Sequence, residues 1–534
     1  MERVLAVIPA RAGSKGIPNK NIRLVNNKPL VYYSIKNAIE SEIISEVVIS
    51  TDSPEIEIIA KQMGVKCKMR EKKLCGDDIT LDAVIYDVKK DFECDYVVTL
   101  QPTSPTLKVE TLDKAIRFCM EQSLDSVISV INKPHLAWKE QGGKKIPDYE
   151  KRLNRQYLPP RYLETGAFVI SRSENVTETD RLGKLIDVYE ISEEEAVDID
   201  SFEDLEYVNN IFRQKNIAIY VNGNNKRGMG HIYRALELAD EFYTKPDIYY
   251  DINQTERKAF GETTHNLIEV NGLDELLLCL KRKKYDLLIN DILTTTIDYM
   301  IAVRNCIPRA KIVNFEDDGE GVYKADLVIN ALYYDSSLPQ MKAGERYYIA
   351  SKLFMFYHPI EISENVKRIF IGFGGADPQN YTDRLLDIIT QDDKYKEFQF
   401  IIVLGRAKEN VVELLKFNDF SNIEVLFDIK NMPEVMSSCD IGITSRGRTG
   451  YELAILGVPT IAMAQNKREE KHGFVNNENG FTYLGLNPSD YVIKSALDMY
   501  IGMSKEERQQ YQKRLLEHDL KNGRKRVKEL IDSL

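Results

Sequence analysis

Val4-Leu-Ala-Val-Ile-Pro-Ala-Arg-Ala-Gly-Ser-Lys-Gly-Ile-Pro-Asn-Lys-Asn21 decides how the chain is read. Val4 to Ile8 is an uninterrupted apolar run, the pattern of a strand buried on both faces. Pro9 breaks it, and a basic, glycine-bearing loop follows with Ala10, Arg11, Gly13, Ser14, Lys15, Gly16, Lys20 and Asn21. In an open α/β sheet such a loop lies at the carboxyl edge, where phosphate-bearing ligands bind. Glycines let backbone N–H groups close on phosphate oxygens, and Arg11, Lys15 and Lys20 add charge suited to a triphosphate. No Gly-x4-Gly-Lys-Ser/Thr occurs, so this is not a Walker A loop. The same residues also fit a plain basic surface loop after an edge strand.

With 534 residues the chain exceeds a single core, and roughly two to four domains are expected. It is 43% hydrophobic and 29% charged, an ordinary globular balance. A net charge of −11 argues against non-specific nucleic-acid binding, so an anionic nucleotide needs a local basic pocket. No apolar run approaches the roughly 20 residues of a membrane span, and Arg11 interrupts the first one too early for a signal peptide. The seven cysteines are scattered without Cys-x-x-Cys spacing, which argues against disulfides and zinc. These features predict a cytoplasmic, multidomain, soluble enzyme.

Strand and helix patterns alternate through the first 214 residues, which implies a mainly parallel sheet. Helices are expected over 29–41, from Pro54, and over 80–90; strands over 47–51, 96–100, 126–131 and 167–170. Asp198-Ile-Asp200 is the most informative pair. In a strand-like segment, residues two apart share a side, so both carboxylates can face one Mg²⁺. Equally, Asp200-Ser201 suits the N-cap of a helix running to about Gln214.

Ile8-Pro-Ala-Arg-x-Gly-Ser-Lys-Gly-Ile-Pro-x-Lys-Asn21 resembles the signature of the N-acylneuraminate cytidylyltransferases, the CMP-sialic acid synthetases. The resemblance implies a Rossmann-like nucleotidyltransferase domain over 1–214 that joins CTP to a nonulosonic acid and releases pyrophosphate. Arg11 and Lys20 would then be catalytic, with Ala10, Gly13, Ser14, Lys15 and Asn21 around the triphosphate and Mg²⁺ on Asp198 and Asp200. Arg70, with Leu74 and Asp77, is similar to the family's Arg-x3-Leu-x2-Asp segment near the nucleotide. Gln101-Pro-Thr103-Ser104-Pro105 resembles its Gln-Pro-Thr-Ser-Pro, placing Gln101, Thr103 and Ser104 toward the sugar acid. Arg155-Gln156, with Pro159 and Gly166-Ala167, resembles a region that reaches the neighbouring subunit's site, which implies a homodimer. The sequence departs from the family at Thr106-Leu-Lys108 in place of Leu-Arg, at Thr165 in place of Asn, and at Leu81 in place of a small hydroxyl residue.

A boundary is expected at 214/215, where a new buried strand, 217–221, begins. It leads into Asn222-Gly-Asn-Asn-Lys-Arg-Gly228-Met-Gly230-His231 and a helix over 232–242. A histidine at a helix N-terminus has its pKa lowered by the dipole, which favours a neutral base, although a structural or capping role fits equally. Acidic residues close two more strand-like runs, at Asp291 and over 316–318. Ile369-Phe-Ile-Gly-Phe-Gly374-Gly375-Ala-Asp377-Pro opens a second Rossmann-like lobe. A strand over 440–444 then ends in Ser445-Arg446-Gly447-Arg448-Thr449-Gly450 before a helix over 451–456. An Arg-bearing glycine turn at a helix N-terminus suits a diphosphate, with Glu452 placed for a ribose hydroxyl; a tight turn with solvated arginines is the alternative.

Gly-x-Gly-His, then Phe-Gly-Gly-x-Asp-Pro, then a glycine turn followed by Glu is similar to the UDP-sugar hydrolases of the pseudaminic acid pathway, which have the two-lobed glycosyltransferase-B fold. The resemblance implies lobes over 215–365 and 366–534, and a UDP-sugar held by Gly374, Gly375, Arg446, Gly447, Arg448, Thr449, Gly450 and Glu452. His231 would activate water, beside Gly228, Gly230 and Asp291 at the sugar. The turn departs from the family's Gly-Gly-Ser-Thr, and Ile292 follows Asp291 where His or Tyr is usual. The charged tail over 503–534 reads as a lobe-crossing helix with a solvated face. The expectation is thus a fused bifunctional enzyme working with a separate nonulosonate synthase, without nucleic acid or membrane span. The alternatives for the second half are a glycosyltransferase and a non-catalytic nucleotide-sugar module. Sialic, legionaminic and pseudaminic acids all fit the first-half resemblance.

Overall fold

The apolar run at the head of the chain forms the interior strand of the first sheet in a computed structural model that describes residues 2–13, 16–76, 78–223, 229–334 and 337–534. Val4 to Ile8 are each at most 1% exposed, and burying side chains of this size contributes about 1.5–3 kcal/mol each. Contacts divide the chain into two units, Met1–Gln214 and Lys215–Leu534.

The first unit holds β1 (Val4–Pro9), β2 (Glu46–Thr51), β3 (Lys66–Met69), β4 (Tyr96–Leu100), β5 (Ser126–Asn132), β6 (Tyr162–Arg172) and β7 (Ile186–Glu190). Their order is β7-β5-β6-β4-β1-β2-β3. All pairings are parallel except those of β6, which runs antiparallel to β4 and β5. β6 extends well beyond the expected 167–170, with its register broken between Glu164 and Val169. Gly166 lies in that break at φ +73°, a backbone region glycine enters without penalty. Helices α1 (Leu30–Glu40), α2 (Pro54–Gln62), α3 (Leu81–Lys89), α4 (Val109–Glu121) and α5 (Phe202–Arg213) surround the sheet. Ser53 and Thr80 cap α2 and α3 through their hydroxyls, so these helices start where the sequence placed them. Pro29 occupies the N-cap of α1 rather than its first turn.

The second unit contains two wholly parallel sheets. The first is built from β8 (Ile217–Val221), β9 (Asp247–Asp251), β10 (Asn266–Val270), β11 (Leu287–Asp291), β12 (Lys311–Phe315), β13 (Leu327–Asn330) and β14 (Met341–Ala343), in the order β10-β9-β8-β11-β12-β13-β14. The second has β15 (Arg368–Gly372), β16 (Gln399–Leu404), β17 (Ile423–Phe427), β18 (Ile441–Ser445), β19 (Thr460–Ala464) and β20 (Phe481–Leu486), in the order β17-β16-β15-β18-β19-β20. Both are doubly wound, and in each the order reverses between its first and fourth strands, where such sheets bind ligands. Within this unit the two lobes line one cleft of about 660 Å³.

Three helices, not one, end the chain: α8 (Asp490–Gly502), α9 (Lys505–Leu516) and α10 (Gly523–Asp532), after α6 (Gly230–Ala239) and α7 (Arg448–Ile455) nearer the cleft. α8 precedes the expected tail, so 503–534 holds two helices, α9 and α10, where one was expected, while its crossing to the first lobe and its solvated face are as expected. Arg508 of α9 is fully buried and donates to the Ser363 and Glu364 carbonyls at 2.8 and 3.0 Å. α10 crosses to the first lobe, where Val527 and Ile531 join its core. Among the described residues no helix is long and apolar enough to cross a membrane.

Candidate active sites

In the first unit, the loops after β1 and β4 meet at the point where the strand order reverses. Ala10 is buried and donates its N–H to the Ser50 carbonyl at 2.9 Å. Asn21 Nδ2 donates to the Arg11 carbonyl at 2.9 Å and closes the loop on itself. Lys20 Nζ donates to the Ile199 carbonyl at 2.8 Å and pairs with Asp200 Oδ1 at 3.1 Å. Gly16 packs so tightly here that a Cβ would lie 2.7 Å from the Asp200 carbonyl oxygen. The basic loop and the Asp-x-Asp segment, about 180 residues apart, are thus clasped together.

Residues 197–200 form no strand, which corrects the expected strand-like segment. The Ile199 N–H donates instead to the Thr103 carbonyl at 2.9 Å, tying the segment to the loop after β4. Nor does either aspartate cap α5. Ser201 does, in a reciprocal box with Asp204, whose carboxylate also accepts the Asp200 N–H. Neither carboxylate is consumed in capping α5, and Asp200 pairs instead with Lys20.

Among the described residues, Thr103 Oγ1, Ser104 Oγ and Asp198 Oδ1 on this wall are buried without a well-formed hydrogen bond, although Thr103 lies close enough to Asp198 to favour its charged form. Buried polar atoms are nearly always paired, so such a group marks a place where a ligand or ion completes the bonding. Burial pushes the Asp198 carboxyl above its ordinary range, and the charge of Asp200 adds to this. Gly166 gives access from the β6 side: a Cβ there would lie 3.3 Å from Gln101 Nε2 and 3.4 Å from Asp198 Oδ2. Hard, unpaired carboxylate oxygens suit Mg²⁺, which takes a few such ligands together with phosphate oxygens and water. Among the described residues no group of three or more His, Cys, Asp or Glu side chains is placed to hold an ion. A cation here would draw the rest of its shell from a ligand.

Arg70 is anchored through Nε to Ser50 Oγ and through Nη2 to the Ser50 carbonyl, both at 3.0 Å. Burial and, more weakly, the neighbouring Arg11 charge press its pKa down against the pull of Asp52. An incoming polyanion relieves that repulsion. Asp52 accepts the Ala12 N–H at 2.6 Å and holds the loop's first turn. Thr165, one of the family departures, is tied to Ser129 Oγ at 2.8 Å. Arg155 and Gln156 lie on an exposed turn, where Arg155 pairs with Glu193 at 3.4 Å and not with the loop. Ser14, Lys15 and Asp77 lie outside the described residues.

The second unit brings a buried ion network to the switch point of its first lobe. α6 follows β8, and Asp291 ends β11, the neighbouring strand where the order reverses. His231 Nδ1 meets Asp291 Oδ1 at 2.5 Å. Arg234, one turn further along α6, forks the same carboxylate through Nε at 2.7 Å and Nη2 at 2.6 Å. Its Nη1 donates to Glu316 Oε1 at 3.0 Å. His231 and Arg234 are 8% and 3% exposed, and Asp291 and Glu316 each 1%. Burial lowers the His231 pKa against the pull of Asp291, so the ring is neutral. The sequence argument credited the helix dipole, and burial is the larger cause. Burial also works to raise Asp291, but Arg234 and His231 outweigh it and hold the carboxyl at about 2. A neutral ring that donates Nδ1–H to a carboxylate keeps Nε2 as a base.

His231, Gly230, Gly374, Gly375, Gly447, Arg448, Thr449 and Glu452 all line the cleft. α7 begins at Arg448, three residues before the expected 451, so Arg448, Thr449 and Gly450 form its first turn. Arg448 already donates through Nη2 to the Ile349 carbonyl at 2.8 Å and covers the Tyr348 ring. Burial lifts the Glu452 carboxyl to about 7, with Arg448 partly opposing. Arg446 is turned onto the Tyr483 ring and the Glu470 carbonyl, and Gly450 packs against Val475; neither lines the cleft. Gly228 lies outside the described residues. Sequence reasoning missed Arg234, three residues along the helix from His231 and on the same face. It named the segment holding Glu316 but not its role.

Residues 5–227 match the family model described as cytidylyltransferase. Over 205 residues, 37% of this chain and 48% of the relative, the sequence is 32% identical to N-acylneuraminate cytidylyltransferase A of Danio rerio. Over 120 residues, 21% of this chain and 52% of the relative, it is 42% identical to the CMP-N,N'-diacetyllegionaminic acid synthase of Legionella pneumophila. The chain spans from about half to just under two thirds of the length of the curated relatives it matches. The solved structure of Acinetobacter baumannii MurG aligns with 60% of this chain and 100% of its own, at 14% identity and a TM-score of 0.46.

Proposed function

We propose that this chain, whose residues 5–227 match the cytidylyltransferases, transfers CMP from CTP to the anomeric hydroxyl of a sialic-type acid and, in its second unit, hydrolyses a UDP-amino sugar. The observation carrying the first half is the clasp of Lys20 on Ile199 and Asp200, which sets a basic loop beside the unpaired Asp198 oxygen. Arg11, Lys20 and the backbone of the loop bind the triphosphate, and Gln101, Thr103 and Ser104 orient the sugar acid. The anomeric oxygen bonds to the α-phosphorus as the bond to the β-phosphate oxygen breaks, and pyrophosphate leaves. Mg²⁺, when bound by Asp198 and Asp200, neutralises charge on the phosphate oxygens. Everything else is positioning and electrostatics. The test is pyrophosphate release by the full chain with CTP and a panel of sialic, legionaminic and pseudaminic acids. Release that requires one of these acids supports the proposal, and none with any acid defeats it.

Gly16→Ala separates the clasp from simple basicity. The added methyl meets the Asp200 carbonyl and pushes the loop away while leaving every charge in place. A shift of this size costs about a hundredfold in rate, read as kcat/KM for CTP.

In the second unit His231 takes a proton from water, whose oxygen attacks the anomeric carbon as the bond to UDP breaks. The supporting observation is the neutral His231 held by Asp291 on the cleft wall.

The first unit is proposed to work as a homodimer. Trp138, Tyr157, Tyr162, Leu163 and Leu185 are each 43–68% exposed. Trp138 lies in a two-stranded hairpin pairing 138–141 with 144–147, Tyr157 in the same turn as Arg155 and Gln156, Tyr162 and Leu163 in β6, and Leu185 just before β7. Sedimentation of the full chain is expected to give a dimer that Trp138→Glu with Tyr157→Glu converts to monomer. We further propose that a separate synthase makes the nine-carbon acid from the freed sugar.

A further inference from the structure

The geometry points to Arg234 as a positioning residue that, buttressed by Glu316, fixes the Asp291 carboxylate and thereby sets the orientation of the His231 ring on the cleft wall. This inference rests on the hydrolase reading of the second unit.

Asp291 ends a strand and has one carboxylate to share between His231 and Arg234. The Arg234 fork uses both oxygens in a nearly parallel pair of bonds, so the carboxylate cannot rotate away from the ring. Nη1 reaches Glu316, whose φ of +51° is a conformation non-glycine residues rarely hold, and whose Oε2 also accepts the Leu332 N–H at 3.3 Å. The guanidinium is thus fixed from two sides, by the last residue of β11 and by the loop after the neighbouring strand β12. A side chain on the next turn of the same helix would not need such anchoring for packing alone.

Charge completes the case. Among the described residues, the charged groups facing His231 are Arg234 on its own helix and Asp291 after β11, with Glu316 after β12 behind them. From the second lobe come Arg468, which reaches the Glu316 carbonyl at 2.7 Å, and Arg448 beside Gly230. Asp291 alone would favour a protonated imidazolium. Burial is the largest influence against that charge, and Arg234 adds to it at close range while Glu316 pairs with the guanidinium. Without Arg234 the ring would bind a proton in the range where it must accept one from water.

The test reads the ring itself as well as turnover. The chain has six histidines, so ¹⁵N-labelled imidazole spectra of the full protein can be assigned to His231 by difference with His231→Asn. In the unsubstituted protein the ring is expected to titrate below the ordinary imidazole range, neutral and protonated on Nδ1 above it. In Arg234→Met its titration midpoint is expected to rise by at least about one pH unit. The acid limb of kcat/KM for UDP release from a UDP-N-acetylamino sugar should move with it, while Arg234→Lys restores most of the original profile. Arg234→Gln serves in the same way if the methionine variant does not fold. A His231 midpoint unchanged in the folded variants, or lost activity with an unmoved acid limb, would overturn the inference. Because the spectra need no turnover, absence of UDP release from the unsubstituted protein would defeat the hydrolase reading alone and leave the positioning claim decided by the ring.

Discussion

Asp198→Asn is expected to release pyrophosphate from CTP about a hundred- to a thousandfold more slowly than the unsubstituted chain while becoming slightly harder to unfold. The rate loss is the scale of removing one preorganised electrostatic contact to a transferring group. The stability gain follows from linkage. Burial raises the Asp198 carboxyl above its unfolded value, so the folded state holds its proton more readily than the unfolded one. The stability tied to that proton is present below the unfolded value and is lost as pH rises through the folded one. At pH 7 the protein therefore carries a half-buried charge that Thr103 and Lys20 only partly offset, with Oδ1 lacking a well-formed hydrogen bond among the described residues. The amide removes that charge without changing shape. Denaturant melts at pH 7 and pH 4.5 read the effect: the variant should be more stable at pH 7, with the difference shrinking at the lower pH. A residue kept at a cost to folding is one kept for function. Lost activity together with lost stability would instead mean that Asp198 only holds the fold.

His231→Asn should abolish the other activity and leave the first untouched. General-base catalysis contributes about 10²–10⁴ in rate, and the Asn amide can still donate to Asp291 but offers no base. UDP release from a UDP-N-acetylamino sugar is expected to fall by that factor with KM little changed. Pyrophosphate release from CTP, carried by the first unit, should stay within about twofold, since the two units have separate cores. If UDP release persists only when an acceptor sugar is supplied, the second unit is a transferase. If His231→Asn leaves every activity intact, the cleft is a binding module.

The frame of both units was legible because buried parallel strands write themselves as short apolar runs closed by a turn or polar residue. Val4–Pro9, Tyr96–Leu100, Ile217–Val221 and Leu287–Asp291 form where periodicity placed them. Capping chemistry fixed helix starts at Ser53 and Thr80 for the same reason. What stayed hidden was whatever depends on partners distant in sequence. The antiparallel run of β6 has no local signal. The buried Arg508 of α9 reads as a solvated helix residue until the Ser363 and Glu364 carbonyls are seen to receive it. Arg446 and Arg448 sit in one glycine turn and are indistinguishable in sequence, yet one faces Tyr483 and the other the cleft. Arg234 looked like one more polar helix position, because nothing local reveals that Asp291 and Glu316 converge on it.

Mn²⁺ in place of Mg²⁺ gives the most direct test of the clasp, since its paramagnetism reports the metal's own surroundings. Water-proton relaxation of Mn²⁺ and CTP, titrated with the full chain, is expected to show a strongly enhanced ternary complex. In the doubly substituted Asp198→Asn, Asp200→Asn chain that enhancement should vanish, while Lys20 and Arg11 still retain CTP. An unchanged enhancement in the double variant would show that the metal sits elsewhere and would contradict the site described here.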